Sequence, residues 1–421
     1  MSFCPVYIPV GVPTFHLESA QDQFSRSCAL LKKIDSRFIC PDSMLLSMDS
    51  LCSYLDSVQP DLIVFQNLTF ANAAYMSEVL RRFSCPLQLW TLREPVIDGG
   101  RLRLNSLTGA YSAANTLHAF DNRPFSYIFG SPDEERTESA ICGFVQAAET
   151  KKAMRSLRMA AVGHTPQGFG FGRALDSELM NVFGVELEAI EARELIDMAK
   201  GFSDEECADY IKKTEVSTCG FSLTPENNRL DHARLYKAYS DYVRSHKIGA
   251  LASRCWPDFF TAFGTPVCTV LSLLNDEGIA SACEADIYGA LSMWIGMNLS
   301  DAPVFFGDPV SLDERKIPSH SGTAVQQPVL LPEKTPAQLS VFTRTGKSGL
   351  QWTLAVRPSR KLPFSASAEL RLEAFASSLR REKRWINRNS LPELLSSSVQ
   401  TLKAGALWKR VFWRDSSPIL S

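Results

Sequence analysis

Two carboxylates in the second half of the chain stand next to apolar segments, where acidic side chains are uncommon. Glu284 precedes the apolar run at residues 287–297, which predicts a helix of about three turns. Asp308 ends a second apolar run, residues 303–307, which predicts a short buried strand, and His320 follows on a predicted loop. Two carboxylates and an imidazole suit a hard or borderline divalent cation such as Mg²⁺ or Mn²⁺.

The same residue types also have purely structural uses. An acidic residue at the start of a helix usually caps the helix or interacts with its dipole. An Asp after a strand usually begins a turn. Spacing alone therefore leaves a structural role for Glu284 and Asp308 open beside a metal site.

The segments that must position these residues alternate between strand and helix patterns. Residues 6–10, 61–65, 86–92 and 126–130 predict buried strands, with helical patterns in several of the connections between them. The strand pattern at 157–163 begins a second series. Strands alternating with helices are typical of a parallel, doubly wound sheet.

A chain of 421 residues is too long for one ordinary core. We expect two doubly wound α/β domains, at residues 1–155 and 156–300. A smaller C-terminal domain at 301–421 would follow, either β-rich or degenerate, and irregular after about residue 341. Glu284 then belongs to the second domain and Asp308 to the third, so the candidate site lies at a domain interface.

Three further features lie on the predicted α/β elements. Glu94 and Arg101 follow the strand at 86–92, where they either bind a ligand or form a surface loop. The glycine-containing turn at 164–172 matches neither the dinucleotide fingerprint nor a Walker loop, so we interpret it as a tight strand-to-helix turn. His232 and His246 lie on polar helices and are expected to be solvated.

Composition excludes several classes of protein. With 45% hydrophobic and 21% charged residues, the chain resembles soluble globular proteins, and no apolar run reaches the ~18 residues of a membrane helix. The N-terminus has no basic segment before an apolar core, so no secretory signal is expected. Eleven cysteines without a CxxC pair predict reduced thiols in a cytoplasmic protein and argue against a structural zinc site.

Charge is unevenly placed along the chain. Residues 341–421 hold 15 Lys or Arg against 5 Asp or Glu. Such a basic segment can bind nucleic acid or a membrane surface. Its aromatic residues are sparse and form no known stacking module, however, which argues against nucleic acid as a partner.

Several ordered segments carry a family resemblance. They are Cys255-Trp256-Pro257, residues 273–278 (LLNDEG), 282–287 (ACEADI), 305–308 (FFGD) and 320–322 (HSG). This pattern resembles the L-fucose/L-arabinose isomerase family, especially its shorter fucose-isomerase-like members. The resemblance extends from about residue 58 to residue 322 and fades beyond.

The resemblance implies a metal-dependent aldose–ketose isomerase that works through an ene-diol. It implies that Glu284 and Asp308 bind Mn²⁺ and supply the acid and base groups, with the choice of base left open. His320 is either a third metal ligand or a loop histidine. Trp256 either stacks against the sugar or belongs to the core, and Glu94 and Arg101 are substrate-binding candidates.

One departure from the family puts activity in doubt. The family has a metal-ligating His near the end of the chain, and this sequence has no His after His320. The tail is either a divergent domain with a basic face or a slipped reading frame. Turnover would then be impaired, or the protein would be a non-catalytic sugar-binding homologue that acts as a sensor or partner. In either case we expect a homo-oligomer, a trimer or hexamer.

Overall fold

The chain folds into two compact units, one ending at Ala153 and the other beginning at Met154. The computed structural model describes residues 2–120, 124–218, 220–304 and 306, together with the backbone of 309–311, 320–321, 339–344 and 350–355. Each unit is built around its own parallel sheet.

The first sheet has four parallel strands in chain order. They are β1 (Pro5–Val10), β2 (Leu62–Asn67), β3 (Leu87–Thr91) and β4 (Ser126–Phe129). β1, β2 and β3 are buried along their whole length, as expected for strands covered on both faces.

Helices cover both faces of this sheet. They are α1 (Leu17–Ile34), α2 (Met48–Asp56), α3 (Ala73–Arg82), α4 (Ser106–Ala119) and α5 (Glu135–Met154). Val6 and Ile8 of β1 share a buried cluster with residues of α2, α3 and α4. Tyr7 lies in a second cluster with residues of α1 and α5. Because side chains alternate along a strand, β1 contributes to both cores.

The second sheet reverses its strand order in the middle. Its parallel strands are β5 (Arg158–Val162), β6 (Glu186–Ile190), β7 (Ala250–Ser253) and β8 (Ala280–Ala282). Their spatial order is β6-β5-β7-β8. The chain leaves β5 in one direction toward β6 and later pairs β7 on the other side. Ligands of such sheets bind beyond the carboxyl ends of the strands at this switch point.

Six helices and three short turns surround the second sheet. The helices are α6 (Asp176–Phe183), α7 (Ala192–Lys200), α8 (Asp204–Ser217), α9 (Glu226–His246), α10 (Cys268–Asp276) and α11 (Ile287–Ser300). The turns are Gly170–Gly172, Phe221–Leu223 and Phe259–Phe263. Residues of α7, α9 and α10 form one core with β5 and β7, while α11 contacts β7 and β8. Gly184 ends α6 with a φ of 72°, the C-cap conformation that favours glycine.

Two parallel sheets with surrounding helices confirm the predicted α/β fold class. Beyond α11, the backbone forms two antiparallel pairs, β9 (Pro309–Ser311) with β10 (His320–Ser321) and β11 (Leu339–Arg344) with β12 (Leu350–Ala355). The rest of the tail lies outside the described residues, and the predicted domain boundaries and irregularity stay predictions. In the part of the chain that the structure describes, no helix combines the length and apolar character needed to cross a membrane.

The predicted strand at residues 303–307 was wrong for the residues of it that are described. Pro303, Val304 and Phe306 lie outside any strand and are half-buried. Val304 and Phe306 instead pack on α11, where Gly296 and Gly289 leave room for them. An apolar run can bury itself against a helix as readily as in a sheet.

His232 was predicted to be solvated, and that prediction was wrong. Its side chain is 3% exposed, and its ring packs edge-on against Phe221 with centroids 5.3 Å apart. Nε2 lies 3.0 Å from Thr214 Oγ1 of α8. Burial lowers the pKa of His232 from 6.5 to about 3. By contrast, the His246 side chain is 46% exposed, with Nδ1 2.7 Å from Glu188 Oε1.

The buried His232 gives a testable pH dependence of stability. Below pH 6.5 the His232 imidazole binds a proton in the unfolded chain, whereas in the folded chain it stays neutral until about pH 3. The free energy of unfolding therefore falls as the pH decreases through this window. From pH 7 to pH 5, the free energy of unfolding should fall by about 2 kcal/mol more in the wild type than in His232→Gln. Urea unfolding at both pH values measures the difference.

His118→Gln is the matched control, since His118 is exposed in the last turn of α4. It should lose stability in parallel with the wild type. Equal losses in the wild type and in His232→Gln would contradict the assignment of a buried neutral imidazole.

Candidate functional site

Backbone hydrogen bonds join the turns after β5, β7 and β8 to the carboxyl ends of neighbouring strands of the second sheet. The Gly163 N–H donates to the Ile190 carbonyl at 2.8 Å, and the Arg254 N–H donates to the Val162 carbonyl at 2.9 Å. The Ala285 N–H donates to the Ser253 carbonyl at 3.1 Å. The carboxyl edge around the switch point is therefore one connected surface, and Glu284 belongs to it.

Glu284 is held in an unfavourable backbone conformation. Its φ is 57° and that of Ala285 is 50°, both in the left-handed region that favours glycine. Each non-glycine residue there costs about 1 kcal/mol or more, and such strain concentrates at functional sites. The Ala285 bond to β7 and the Asp286 N–H, which donates to the Cys283 carbonyl at 3.0 Å, hold the turn. The backbone from which the half-buried Glu284 side chain extends is thus held in place.

The glycine turn after β5 approaches the residues that follow Glu284. A Cβ on Gly172 would lie 3.0 Å from the Cα of Asp286. Asp286 Oδ1 accepts a 2.7 Å hydrogen bond from the Gly289 N–H and so caps α11. Glycine at position 172 therefore permits close contact between two turns.

The turn after β7 presents Trp256. The Arg254 side chain is fixed by Asp258, whose Oδ2 lies 2.6 Å from Nε, and it donates to the Trp256 carbonyl at 3.2 Å. Trp256 is 61% exposed. The structure therefore excludes the core role that the sequence left open for this ring, while stacking on a sugar stays a prediction.

Of the three predicted metal ligands, Glu284 alone has a described side chain. Asp308 lies outside the described residues, and of His320 the structure describes the backbone in β10. Two residues shortly before Asp308, Val304 and Phe306, are described. Val304 packs beside Gly296 and Phe306 beside Gly289, so the chain runs along α11 toward its N-terminus, next to Glu284.

Glu94 and Arg101 lie in the first unit and hold a loop. The Glu94 carboxylate accepts hydrogen bonds from the backbone N–H groups of Leu104 at 3.0 Å and Asn105 at 2.9 Å. Arg101 donates to the Thr14 carbonyl at 2.8 Å. These contacts account for the loop role that the sequence left open, and binding of a substrate by either residue stays a prediction.

Three buried cysteines converge behind Glu284, a feature that the sequence analysis missed. The Cys268 sulfur lies 3.2 Å from that of Cys255 and 4.0 Å from that of Cys283. Hydrogen bonding to the Cys268 sulfur, together with burial, raises the pKa of Cys255. Hydrogen bonding to Cys255 and Cys268, together with burial, raises the pKa of Cys283. The sequence analysis predicted no strand before either Cys255 or Cys283, so it had no signal that brings them together; in the structure they follow the neighbouring strands β7 and β8.

No family model matches the chain. The chain is 60% identical over 321 residues to the sulfoquinovose isomerase of Clostridium sp. (strain MSTE9), and the match covers 76% of this chain and 72% of the relative. The chain belongs to the sulfoquinovose isomerase family. It is also 34% identical over 314 residues to the sulfoquinovose isomerase of Alkalicoccus urumqiensis, covering 73% of this chain and 70% of that protein. The chain is 33% identical over 320 residues to the sulfoquinovose isomerase of Priestia aryabhattai, and this match covers 74% of the chain and 70% of that protein.

Family membership confirms the expected class, a family of sugar isomerases. The finer resemblance to L-fucose and L-arabinose isomerases stays a prediction. A solved structure, the glucose-galactose binding protein GanP from Geobacillus stearothermophilus, aligns with 79% of this chain and 99% of its own, with a TM-score of 0.17 and 13% identity. A likeness of that size says nothing about the fold or activity of this chain.

The cap of α11 supports the turn that carries Glu284, and this support is testable. Asp286→Ala removes the acceptor for the Gly289 N–H and should lower the free energy of unfolding by about 1 kcal/mol. Asp286→Asn keeps a cap acceptor of the same size, so its free energy of unfolding should fall by at most about 0.3 kcal/mol. Urea unfolding measures both, and equal losses in the two variants would show that the cap is not what Asp286 contributes.

Proposed function

We propose that this protein isomerises sulfoquinovose, an aldose that carries a sulfonate, to the corresponding ketose. The observation that carries the proposal is the 60% identity to a sulfoquinovose isomerase, over 72% of that relative. The strained Glu284 turn at the switch point of the second sheet supports it, because it puts a carboxylate where α/β folds bind their ligands.

The chemistry requires the transfer of one hydrogen between C2 and C1 of the open-chain sugar. In the proposal, one carboxylate removes the proton from C2, a second group donates a proton to C1, and the proton of the C2 hydroxyl passes to the oxygen on C1. Glu284 and Asp308 fill these roles, in an order that the proposal leaves open. The fixed backbone of Glu284 favours such a step, because a proton acceptor must stay aligned with the bond that it breaks.

We further propose that Glu284, Asp308 and His320 hold a divalent cation, with Mn²⁺ as the expected ion. Two carboxylates and an imidazole fit this ion. Val304 packs beside Gly296 and Phe306 beside Gly289, nearer the start of α11, which supports the meeting of Asp308 with Glu284. When bound, the cation polarises the carbonyl and the adjacent hydroxyl of the sugar. The exposed Trp256 ring is then available to stack on an apolar face of the sugar.

Substrate choice is tested by comparing three sugars. Purified protein with Mn²⁺ should convert sulfoquinovose to its ketose, followed by carbon NMR, and should convert L-fucose and L-arabinose at least about 100-fold more slowly. Glu284→Gln should abolish turnover, whereas Glu178→Gln, which changes an exposed glutamate on α6, should leave it intact. Faster turnover of L-fucose or L-arabinose than of sulfoquinovose would replace the proposed substrate.

Metal binding is tested independently of turnover. Titration calorimetry of chelator-treated protein should find about one Mn²⁺ per chain, because oxygen ligands and their charge supply the affinity. In Glu284→Gln the affinity should fall at least about tenfold, with Glu178→Gln again as the control. The same Mn²⁺ affinity in the wild type and in Glu284→Gln would remove Glu284 from the metal site.

A non-catalytic sugar-binding homologue is the second candidate. The observation that favours it is the lack of any His after His320. Binding of sulfoquinovose in calorimetry, without conversion in the NMR experiment, would select this alternative. The homo-oligomeric assembly, trimeric or hexameric, stays a prediction in both cases.

A further inference from the structure

The three cysteines behind Glu284 form a sulfur site that the proposed isomerisation does not use. Cys255 follows β7, Cys283 follows β8, and Cys268 is the first residue of α10. Their sulfur atoms all lie within 4.8 Å of one another, and each residue is less than 9% exposed. In the part of the chain that the structure describes, this is the one such group of three metal-ligating side chains.

The sulfur positions match those of a three-coordinate metal. With metal–sulfur bonds of about 2.3 Å in a planar triangle, neighbouring sulfurs stand about 4.0 Å apart. The observed sulfur separations are 3.2 Å, 4.0 Å and at most 4.8 Å. Each pair of sulfurs must therefore move by less than about 1 Å to reach the ideal separation. A disulfide would instead need two sulfurs about 2.0 Å apart and would leave the third unused.

Backbone dipoles around the sulfurs favour negative charge. Cys268 is the first residue of α10 and Val267 is its N-cap, so the N–H groups of both residues lie beside the cluster. Both N–H groups belong to the N-terminus of α10, a helix of nine residues whose dipole is positive at that end. The helix dipole therefore favours bound thiolates, whereas hydrogen bonding between the sulfurs and burial raise the pKa of Cys255 and Cys283.

We propose that Cys255, Cys268 and Cys283 bind one Cu(I) ion per chain. Thiolates are soft ligands, which select Cu(I) among cellular cations, whereas Zn²⁺ favours a fourth ligand. On binding, each S–H bond is replaced by an S–Cu bond and three protons leave to solvent. Copper stays in the +1 state, so no electron is transferred.

Occupation of this site acts on the residues beside it. Cys283 directly precedes Glu284, and Cys255 directly precedes Trp256. Adjusting the sulfur separations around one ion therefore displaces the turns that carry both candidate site residues. Copper is expected to act as an inhibitor of whatever ligand chemistry this edge performs.

Copper uptake tests the proposal without any assay of isomerase activity. Reduced protein is titrated anaerobically with Cu(I) in competition with a chromogenic Cu(I) chelator, which suppresses binding by single thiols. The wild type should retain about one Cu(I) per chain, and Cys268→Ala should retain less than about a tenth of that. Cys142→Ala, which removes a thiol on α5 in the other unit, should retain the wild-type amount.

X-ray absorption at the copper edge of the loaded wild type is the second measurement, and it holds even if a cysteine variant fails to fold. Three sulfur neighbours around a single copper support the site. Two sulfur neighbours, a copper–copper distance, no retained copper, or equal retention in the wild type and in Cys268→Ala would each overturn it.

Discussion

The hydrogen-bonded pairing of β5 with β7 is the interaction on which the candidate site depends. It joins the strand that precedes the glycine turn to the strand that precedes Trp256. Because β6 and β8 extend the sheet on opposite sides of this pair, the strand order reverses here. The turns after β5 and β7 consequently leave the sheet side by side, and β8 adds Glu284 to the same edge.

Two kinds of donor atom lie next to each other in the turn that contains Glu284. Its carboxylate is a hard ligand, and the sulfur of the preceding Cys283 is a soft one. Cys283 is 1% exposed and packs in the core, whereas Glu284 is half-buried at the edge of the sheet. The left-handed backbone at Glu284 and Ala285 turns the chain between these environments. The strain in this turn is thus tied to the change from core to candidate site.

Features set by local patterns could be predicted from the sequence. Continuous apolar runs identified the buried strands β1, β2 and β3 of the first sheet. Features set by tertiary packing could not. His232 was misjudged because α9 begins at Glu226 and packs on α8, which covers a face that looked polar. Residues 303–307 were misjudged because glycines of α11 offered the apolar run another surface.

The candidate site divides in the same way. A family resemblance carried by ordered segments predicted Glu284 as a site residue, and that role stays a prediction; the structure places Glu284 at the carboxyl edge of the second sheet. The cysteine cluster escaped notice because its members follow no metal-binding spacing and meet only through the order of β7, α10 and β8. The segments around Glu284 predicted a class of isomerase, and no residue among them predicted which sugar it accepts.

The strand order of the second sheet also has a consequence for biosynthesis. In the first sheet, each new strand pairs with the strand made just before it, so that sheet can grow as the chain emerges from the ribosome. In the second sheet, Met159 of β5 can pair with Ala250 of β7 only after α6, α7, α8 and α9 have been synthesised. Such distant pairing is slow, and it leaves one edge of β5 open in the nascent chain. The side of β5 that later pairs with β7 is therefore exposed to mispairing while the chain is being made.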